Sequence, residues 1–171
     1  MVPHLLHLCQ RLSVDCRLGR NGMPFRTRLS QLMQDLVSAG QRGVTARRRL
    51  PAPLRALRLP FGPPLGVKSL GYLMDRIYTR DAWLHRMDIA RATSRPPVLT
   101  PEHDGRLVDD VVREWARTHG QPFDLTLTGS AGGHWSAGAS GEQLTLDAVE
   151  FCRIVSGRAP GQGLLATPVN F

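Results

Sequence analysis

The stretch "RDAWLHRMDIARATSRPP", residues 80–97, decides how the fold is interpreted. It closes a segment, residues 69–94, that has the apolar spacing of a long helix and stops before two prolines. On a helical wheel of about 100° per residue, Asp81, His85 and Asp88 fall within the same arc of about 120° as the apolar side chains. The wheel therefore predicts ionisable groups on the buried face. The apolar members of the arc are Leu70, Leu73, Met74, Ile77, Leu84 and Ala92.

Buried carboxylates need compensation, because an unpaired charge is costly in a protein interior. One interpretation is a structural network, in which Asp81 or Asp88 pairs with an inward arginine such as Arg80 or Arg91, or orients His85. The other is a divalent metal, since a carboxylate and an imidazole four residues apart on a helix can share one ion. The residues alone leave both interpretations open.

The composition is that of a globular protein, with 171 residues and 42% hydrophobic side chains. Residues 1–68 carry 12 basic and 2 acidic side chains, but 21 of the 22 basic residues of the chain are scattered arginines. No aromatic–basic pattern accompanies them, so we expect no nucleic-acid partner. No apolar run approaches the roughly 20 residues that span a bilayer, and the first residues lack the features of a signal peptide. We therefore expect a cytoplasmic protein without a membrane partner.

The three cysteines, Cys9, Cys16 and Cys152, form no CxxC pair, so we expect reduced, packed thiols. Three histidines, His103, His119 and His134, fall at helix ends or in a Gly-rich turn and are interpreted as cap or turn residues.

Helical patterns precede strand patterns along the chain. Apolar spacing predicts a helix over residues 29–50, and five prolines in residues 51–64 predict a loop. Ser69 and Thr100 are expected N-caps of the next two helices, and Gly120 ends the second. Alternation in "FDLTLTG" and around Leu144 predicts strands, and "DAVEFCRIVSGR" predicts a short capped helix. The expected class is α+β, with a helical domain over residues 1–120 and a small α+β domain over residues 121–171.

Two segments carry a resemblance to a known family. "YTRDAWLHRMDIARATSRP" closely resembles a helix-end motif of the mycothiol-dependent maleylpyruvate isomerase family of actinobacteria, within the DinB-like group of metal-binding helical bundles. "LTGSAGGHWSAGASGEQLTLDAVEFCRIVSGR" is similar to that family's C-terminal domain, a small α+β unit reminiscent of sterol-carrier folds. The resemblance covers roughly residues 29–171 and implies an incomplete DinB-like bundle followed by this small domain.

The resemblance implies a metal- and mycothiol-dependent enzyme. The family holds a divalent metal, usually zinc, between a histidine of an early helix and an acid-x-x-x-His pair, which Asp81 and His85 match. The open metal position binds the thiol of mycothiol as thiolate. In the isomerase, thiolate addition to the cis double bond of maleylpyruvate allows rotation before the thiolate leaves. The implied partners are a small electrophile and a low-molecular-weight thiol.

The resemblance also implies roles for other side chains. Arg153 is the expected catalytic and cofactor-binding arginine, because a guanidinium forks onto a carboxylate, and Arg158 is the second choice. Trp83, which falls outside the apolar arc, is expected to pack against the C-terminal unit or to line the thiol pocket. Asp88 is expected to hold His85 or an arginine, or to serve a structural role in the bundle.

The third metal ligand is the point at which the chain departs from the family. Only 28 residues precede the first matching segment, and His4 and His7 are the only histidines before His85. His7 is the candidate third ligand, by the resemblance of His7–Leu8 to an early His-Leu pair of the family. The alternative is a non-catalytic small-ligand-binding protein, or a degenerate family member that lacks a complete metal site.

Overall fold

The computed structural model describes residues 25–63 and 65–171 of the chain. Contacts divide the protein into two compact units, Met1–Leu50 and Pro51–Phe171. The expected division near residue 121 differs from this one, because the helices before that point and the strands after it contribute to a single hydrophobic core. His4, His7, Cys9 and Cys16 lie outside the described residues.

In the first unit, the described residues from position 25 onward form a long helix, α1 (Phe25–Arg49), where the sequence predicts a helix over residues 29–50. The glycines at positions 40 and 43 do not interrupt it. Its apolar side chains lie one turn apart along one stripe, and all of them are exposed to solvent. These are Leu29, Leu32, Met33, Leu36, Val37 and Val44.

The second unit begins with a segment that the prolines led us to expect as a loop. It instead forms a short helix, α2 (Ala52–Ala56), and an antiparallel ribbon of β1 (Arg58–Pro60) with β2 (Val67–Ser69). Proline is compatible with both, because it fits the first turn of a helix and the edge of a two-stranded ribbon.

The helical segment that follows is not one uniform helix. It starts as α3 (Leu70–Tyr72), passes through a π-helical turn (Leu73–Ile77) and continues as α4 (Tyr78–Ala92). The Ser69 hydroxyl accepts a hydrogen bond from the Tyr72 amide at 3.0 Å, which confirms the expected N-cap.

The next helix also begins with a π-helical turn, Pro101–Gly105, and continues as α5 (Arg106–His119). Thr100 caps it by accepting from the His103 amide at 3.3 Å. Gly120 ends it with φ of +63°, the left-handed conformation that favours glycine. Both expected caps are therefore confirmed.

The strands form a three-stranded sheet in the order β4–β3–β5. β3 (Phe123–Thr128) pairs antiparallel with β4 (Gly133–Ala137) and parallel with β5 (Glu142–Asp147). The alternation of the sequence is confirmed, because Phe123, Leu125 and Leu127 are buried while the residues between them are more exposed. A mixed α+β class is therefore confirmed for the part of the chain that the structure describes.

β5 leads directly into the last helix, α6 (Ala148–Val155). The Asp147 carboxylate caps α6 by accepting from the Val149 and Glu150 amides at 2.9 and 3.1 Å. Cys152 on this helix is fully buried, and burial raises the pKa of its thiol. Its expected place as a packed, reduced thiol is confirmed.

The core lies between α4, α5, α6 and the sheet. Trp115 of α5 is its centre, with the edges of the Phe123 and Phe151 rings at centroid distances of 5.0 and 5.4 Å. Its indole nitrogen donates to the Leu164 carbonyl at 3.0 Å, so the largest fully buried side chain among the described residues is also hydrogen-bonded. Trp135 is half-buried and donates to Asp109 at 2.9 Å. Among residues 25–63 and 65–171, every helix falls short of the length and apolar content that crossing a bilayer requires.

Arg80 is a buried charge within this unit, with 1% of its side chain exposed. Its guanidinium contacts the carboxylates of Asp110 and Glu114 at 2.7 and 2.8 Å and donates to the Asn170 carbonyl at 2.8 Å. Glu114 also accepts a hydrogen bond from the Tyr72 hydroxyl. Burial and this hydrogen bond raise the pKa of Tyr72 to about 12, so the phenol is a hydrogen-bond donor at neutral pH.

Replacing Arg80 with alanine is expected to lower the free energy of unfolding by about 3–5 kcal/mol, because two carboxylates lose their buried counter-charge. Arg76 is the matched control, since it contacts the same Asp110 at 2.7 Å but is 38% exposed. Arg76→Ala is expected to cost about 1 kcal/mol or less. Urea unfolding of both variants makes the comparison, and equal losses would show that burial of the guanidinium is not what matters.

We expect the free energy of unfolding to depend on pH because of the His119 ring. It packs at 4.3 Å from Trp115, and burial lowers its pKa below the ordinary value of 6.5. As the pH falls below that value, the unfolded state binds a proton that the folded state resists, so the free energy of unfolding decreases. We expect His119→Phe to flatten this decrease between about pH 7 and 5, as measured by urea unfolding at each pH. If the free energy of unfolding of the variant falls with pH as steeply as that of the parent, His119 is not the cause of the decrease.

Candidate functional site

The predicted burial of Asp81 and His85 is wrong. The side chain of His85 is 58% exposed, and those of Asp81 and Asp88 are 39% and 37% exposed. α4 instead buries four other side chains at helical spacing, namely Arg80, Trp83, Leu84 and Met87.

Two physical reasons explain the difference. Four of the six apolar residues that defined the predicted arc lie before α4, one in α3 and three in the π-helical turn Leu73–Ile77, so one angular scale does not extend from them to α4. Within α4 a buried position is occupied by Arg80, which a hydrophobic pattern cannot detect because its burial depends on Asp110 and Glu114.

The exposed face of α4 nevertheless assembles the ionisable residues that the sequence selected. His85 lies between two carboxylates: its Nε2 atom is 3.4 Å from Oδ1 of Asp81, and its Nδ1 atom is 4.0 Å from Oδ2 of Asp88. The helix alone sets this geometry, because side chains three and four residues apart are neighbours on its surface. Each nitrogen of the imidazole therefore faces a different acid.

Asp88 connects the histidine to the C-terminal arginines. Its Oδ1 atom lies 3.2 Å from a terminal nitrogen of Arg153, and its Oδ2 atom accepts from Nε of Arg158 at 3.1 Å. Asp88 thus holds two arginines, which agrees with one of its predicted roles. The predicted partners Arg80 and Arg91 are wrong, because Arg80 pairs with acids of α5 and Arg91 is exposed.

Arg153 is the most enclosed member of the group, with 14% of its side chain exposed. Its Nε atom is buried without an aligned hydrogen bond but lies 3.3 Å from a carboxylate oxygen of Glu150, one turn earlier on α6. A second terminal nitrogen donates to the Arg158 carbonyl at 3.4 Å. The guanidinium is therefore held between α4 and α6. We call Asp81, His85, Asp88, Arg153 and Arg158 the charged cluster.

Trp83 lies apart from this cluster. It is 4% exposed, belongs to the hydrophobic core, and donates from its indole nitrogen to Asp104 at 2.7 Å. Its expected position outside the buried face is wrong. Trp83 was also expected to pack against residues 121–171. This agrees with the structure, because Trp83 shares one hydrophobic core with α6 and the sheet. An indole with so little free surface offers no face to a thiol cofactor.

Asp104 is a buried carboxylate at the start of α5. Burial alone would raise its pKa, but hydrogen bonds from the Thr100 amide and Trp83, with Arg86 nearby, hold the pKa below its ordinary value. Asp104 is therefore ionised and fully used in anchoring the loop to α4.

The donor atoms of Asp81 and His85 fit a shared divalent ion. In a tetrahedral zinc site with bonds of about 2.0–2.2 Å, two ligand atoms lie about 3.3–3.6 Å apart. The 3.4 Å between Nε2 of His85 and Oδ1 of Asp81 lies within this range. Asp88 then faces the remaining ring nitrogen, where a carboxylate commonly orients a metal-binding histidine. An exposed i, i+4 ion pair on a helix has the same spacing.

A third ligand is not found among residues 25–63 and 65–171, where no three His, Cys, Asp or Glu side chains converge. His7, the candidate from the sequence, lies outside the described residues. His103 is exposed in the first turn of a helix, in agreement with its interpretation as a cap residue. His134 is also exposed, but its expected place in a Gly-rich turn is wrong, because it lies within strand β4 and pairs with Thr126. His119 ends α5 and packs on Trp115.

A groove of about 510 Å³ opens beside the charged cluster, between the end of α4, the loop that follows it and the start of α6. Arg153 borders it, whereas Asp81 and His85 do not. No pattern in the sequence predicts this groove. The arginines and the two prolines that line it are close together in the sequence, at and after the end of α4. Only the fold places them opposite Val149.

Comparisons of the chain with protein-family models, with curated proteins and with solved structures gave no match. The resemblance to the maleylpyruvate isomerase family therefore stays a prediction, based on its two sequence segments.

The link between Asp88 and Arg153 can be measured by a double-mutant cycle. We expect Asp88→Ala and Arg153→Ala to be coupled by about 1 kcal/mol in urea unfolding, because they form a partly buried ion pair across two helices. Asp81→Ala is the control, since Asp81 contacts His85 and not Arg153 in the described residues. A coupling energy between Asp81 and Arg153 as large as that of Asp88 would contradict the specific pairing.

Proposed function

We propose that the protein is a metal- and mycothiol-dependent enzyme of the maleylpyruvate isomerase family. It would add a thiolate to a small electrophile, in a cis–trans isomerisation or a thiol transfer. The observation that carries the proposal is the arrangement around His85, whose two ring nitrogens face Asp81 and Asp88. The same Asp88 holds the two arginines that the resemblance assigns to the substrate.

Asp81 and His85 would hold the metal, with zinc as the ion that best suits one carboxylate and one imidazole nitrogen. When bound, the ion would supply a Lewis acid that lowers the pKa of a thiol. His7 is the proposed third ligand. The partial exposure of Asp81 and His85 leaves them accessible to such a ligand and to a thiol.

The other members of the charged cluster would position the reactants. Asp88 would orient the His85 ring through Nδ1, and it fixes Arg153 and Arg158 on the adjacent side. Arg153 would receive a carboxylate of the electrophile on the N–H groups that Asp88 and the Arg158 carbonyl do not use, because a guanidinium carries five donors. Arg158 is the weaker candidate for the same role. We do not assign Trp83 to the site, since its side chain is buried.

The fold proposed with this function is a DinB-like helical bundle joined to a sterol-carrier-like unit. α4 and α5 would belong to the bundle, and the sheet with α6 to the smaller unit. The proposed partners are therefore a small electrophile and a low-molecular-weight thiol, with neither nucleic acid nor membrane.

A non-catalytic member of the same family is the second candidate. The observation that favours it is that the described residues supply two metal ligands and not three. In that case the Asp88–Arg153–Arg158 pairing would serve to join α4 to α6. The pairing of Asp81 with an arginine, which the sequence offered as part of a structural network, is wrong, because the charged partner of Asp81 in the described residues is His85.

Metal content separates the two candidates. Elemental analysis of tag-free protein is expected to give about one zinc per chain, and none for the Asp81→Ala/His85→Ala double variant. His7→Ala is expected to lower the zinc content as well. His103→Ala/His134→Ala is the matched control, because it removes two exposed histidines outside the charged cluster and should retain the metal.

A metal-bound parent protein then justifies an assay of mycothiol-dependent isomerisation of maleylpyruvate. Arg153→Gln is expected to reduce kcat/KM by roughly a hundredfold while zinc content stays at the parent level. If the parent protein purifies without metal and does not bind added zinc, the proposal of a metal-dependent enzyme is wrong and the non-catalytic candidate remains.

A further inference from the structure

The groove beside the charged cluster has an apolar floor. Met87 is buried within α4, and Leu99 and Val149 line the groove from the loop and from α6. Pro96 and Pro97 form part of the wall and fix the backbone of the loop. With about 510 Å³, the groove lies within the range of about 300–1,000 Å³ that is usual for small-molecule sites.

The rim of the groove is positively charged. Arg91 and Arg95 are exposed and, within the described part of the chain, have no side-chain partner. The acids of the lining are already engaged, because Asp147 caps α6 and Glu150 lies against Nε of Arg153. Arg91 and Arg95 therefore lie beside an apolar surface, and within the described part of the chain neither forms an ion pair with the carboxylates of the lining.

The geometry points to a binding site in this groove for a small carboxylic acid with an apolar body. The body would lie against Met87, Leu99 and Val149, where it is removed from water. The carboxylate would remain at the rim, where Arg91 and Arg95 can each donate two hydrogen bonds to it. A purely polar anion would leave the floor unused, and a neutral apolar molecule would leave both arginines unpaired.

This site is independent of the proposed metal. Its ligand would be held by Arg91 and Arg95, whereas the metal would be held by Asp81 and His85, which do not line the groove. Arg153 borders both regions, but its guanidinium is held by Asp88. The groove can therefore bind its ligand whether or not the chain is an enzyme.

Three small probes test the inference on the full chain. Methyl resonances of Met87, Leu99 and Val149 are followed by NMR during titration with 3-phenylpropanoate, 3-phenylpropanamide and acetate. The first probe has both charge and apolar body, the second lacks the charge, and the third lacks the body. We expect 3-phenylpropanoate to bind at least about tenfold more tightly than either of the others.

The variant Arg91→Gln/Arg95→Gln is expected to weaken binding of 3-phenylpropanoate by about tenfold or more and to leave the weak binding of the amide unchanged. Arg106→Gln/Arg117→Gln is the matched control, because it removes the same charge from exposed positions of α5 outside the groove. If the two double variants weaken binding equally, the net charge of the protein explains the attraction, and the proposed site is wrong. Equal binding of acid and amide, or no shift of these methyl groups with any probe, would also overturn it.

The proposed metal site and the proposed groove site can be disproved independently of each other. Arg91→Gln/Arg95→Gln should retain the zinc content of the parent, and Asp81→Ala/His85→Ala should retain the affinity for 3-phenylpropanoate. Loss of that affinity in the metal-site variant would contradict the independence of the groove.

Discussion

Arg80 carries a guanidinium almost completely removed from water, and the second unit is arranged around its compensation. Desolvating such a charge costs several kcal/mol, so the fold must supply carboxylates and carbonyls with good geometry. It does so with Asp110 and Glu114 from α5 and with the Asn170 carbonyl. The orientation of α4 against α5 follows, because Arg80 must face inward. With Arg80, Trp83 and Met87 inward, Asp81, His85 and Asp88 are directed outward.

The outward face of α4 presents Asp81, His85 and Asp88 to solvent and to the arginines that follow in the sequence. Asp88 is its central residue, since its two oxygens reach arginines from the far end of the sequence while its helix neighbour is His85. The arrangement places the two proposed metal ligands and the two arginines proposed to bind a carboxylate within one connected set of charges. Because the set is partly exposed, each contact in it is weak, and its value lies in positioning.

The sequence was most informative where local rules operate. The caps at Ser69, Thr100 and Asp147 depend on residues within three positions, and the alternation of β3 depends on neighbours in the chain. The face of α4 could not be predicted in this way. Burial of Arg80 requires α5 and a segment 90 residues away, and a hydrophobic scale places an arginine outside. The π-helical turn adds a change of helical phase that an ideal wheel does not contain.

The same distinction between local and long-range contacts applies to the candidate site. Its residue types and the spacing of Asp81, Asp88 and His85 could be predicted, because one helix sets them. The pairing of Asp88 with Arg153 and Arg158 could be anticipated only as one of several roles for that acid. Its actual partners lie 65 and 70 residues further along the chain. The groove beside Val149 was not foreseen, because its walls come from three segments.

The hydrogen bond between Arg80 and the Asn170 carbonyl also has a consequence for the order of assembly. It joins positions 90 residues apart, so its closure costs much chain entropy and gives nothing until both segments are in place. During synthesis, α4 and α5 can pair through Asp110 and Glu114 before residue 170 has been added. The guanidinium then lacks one of its three partners. Only the arrival of the last segment completes its shell, which makes this contact a late step that closes the unit.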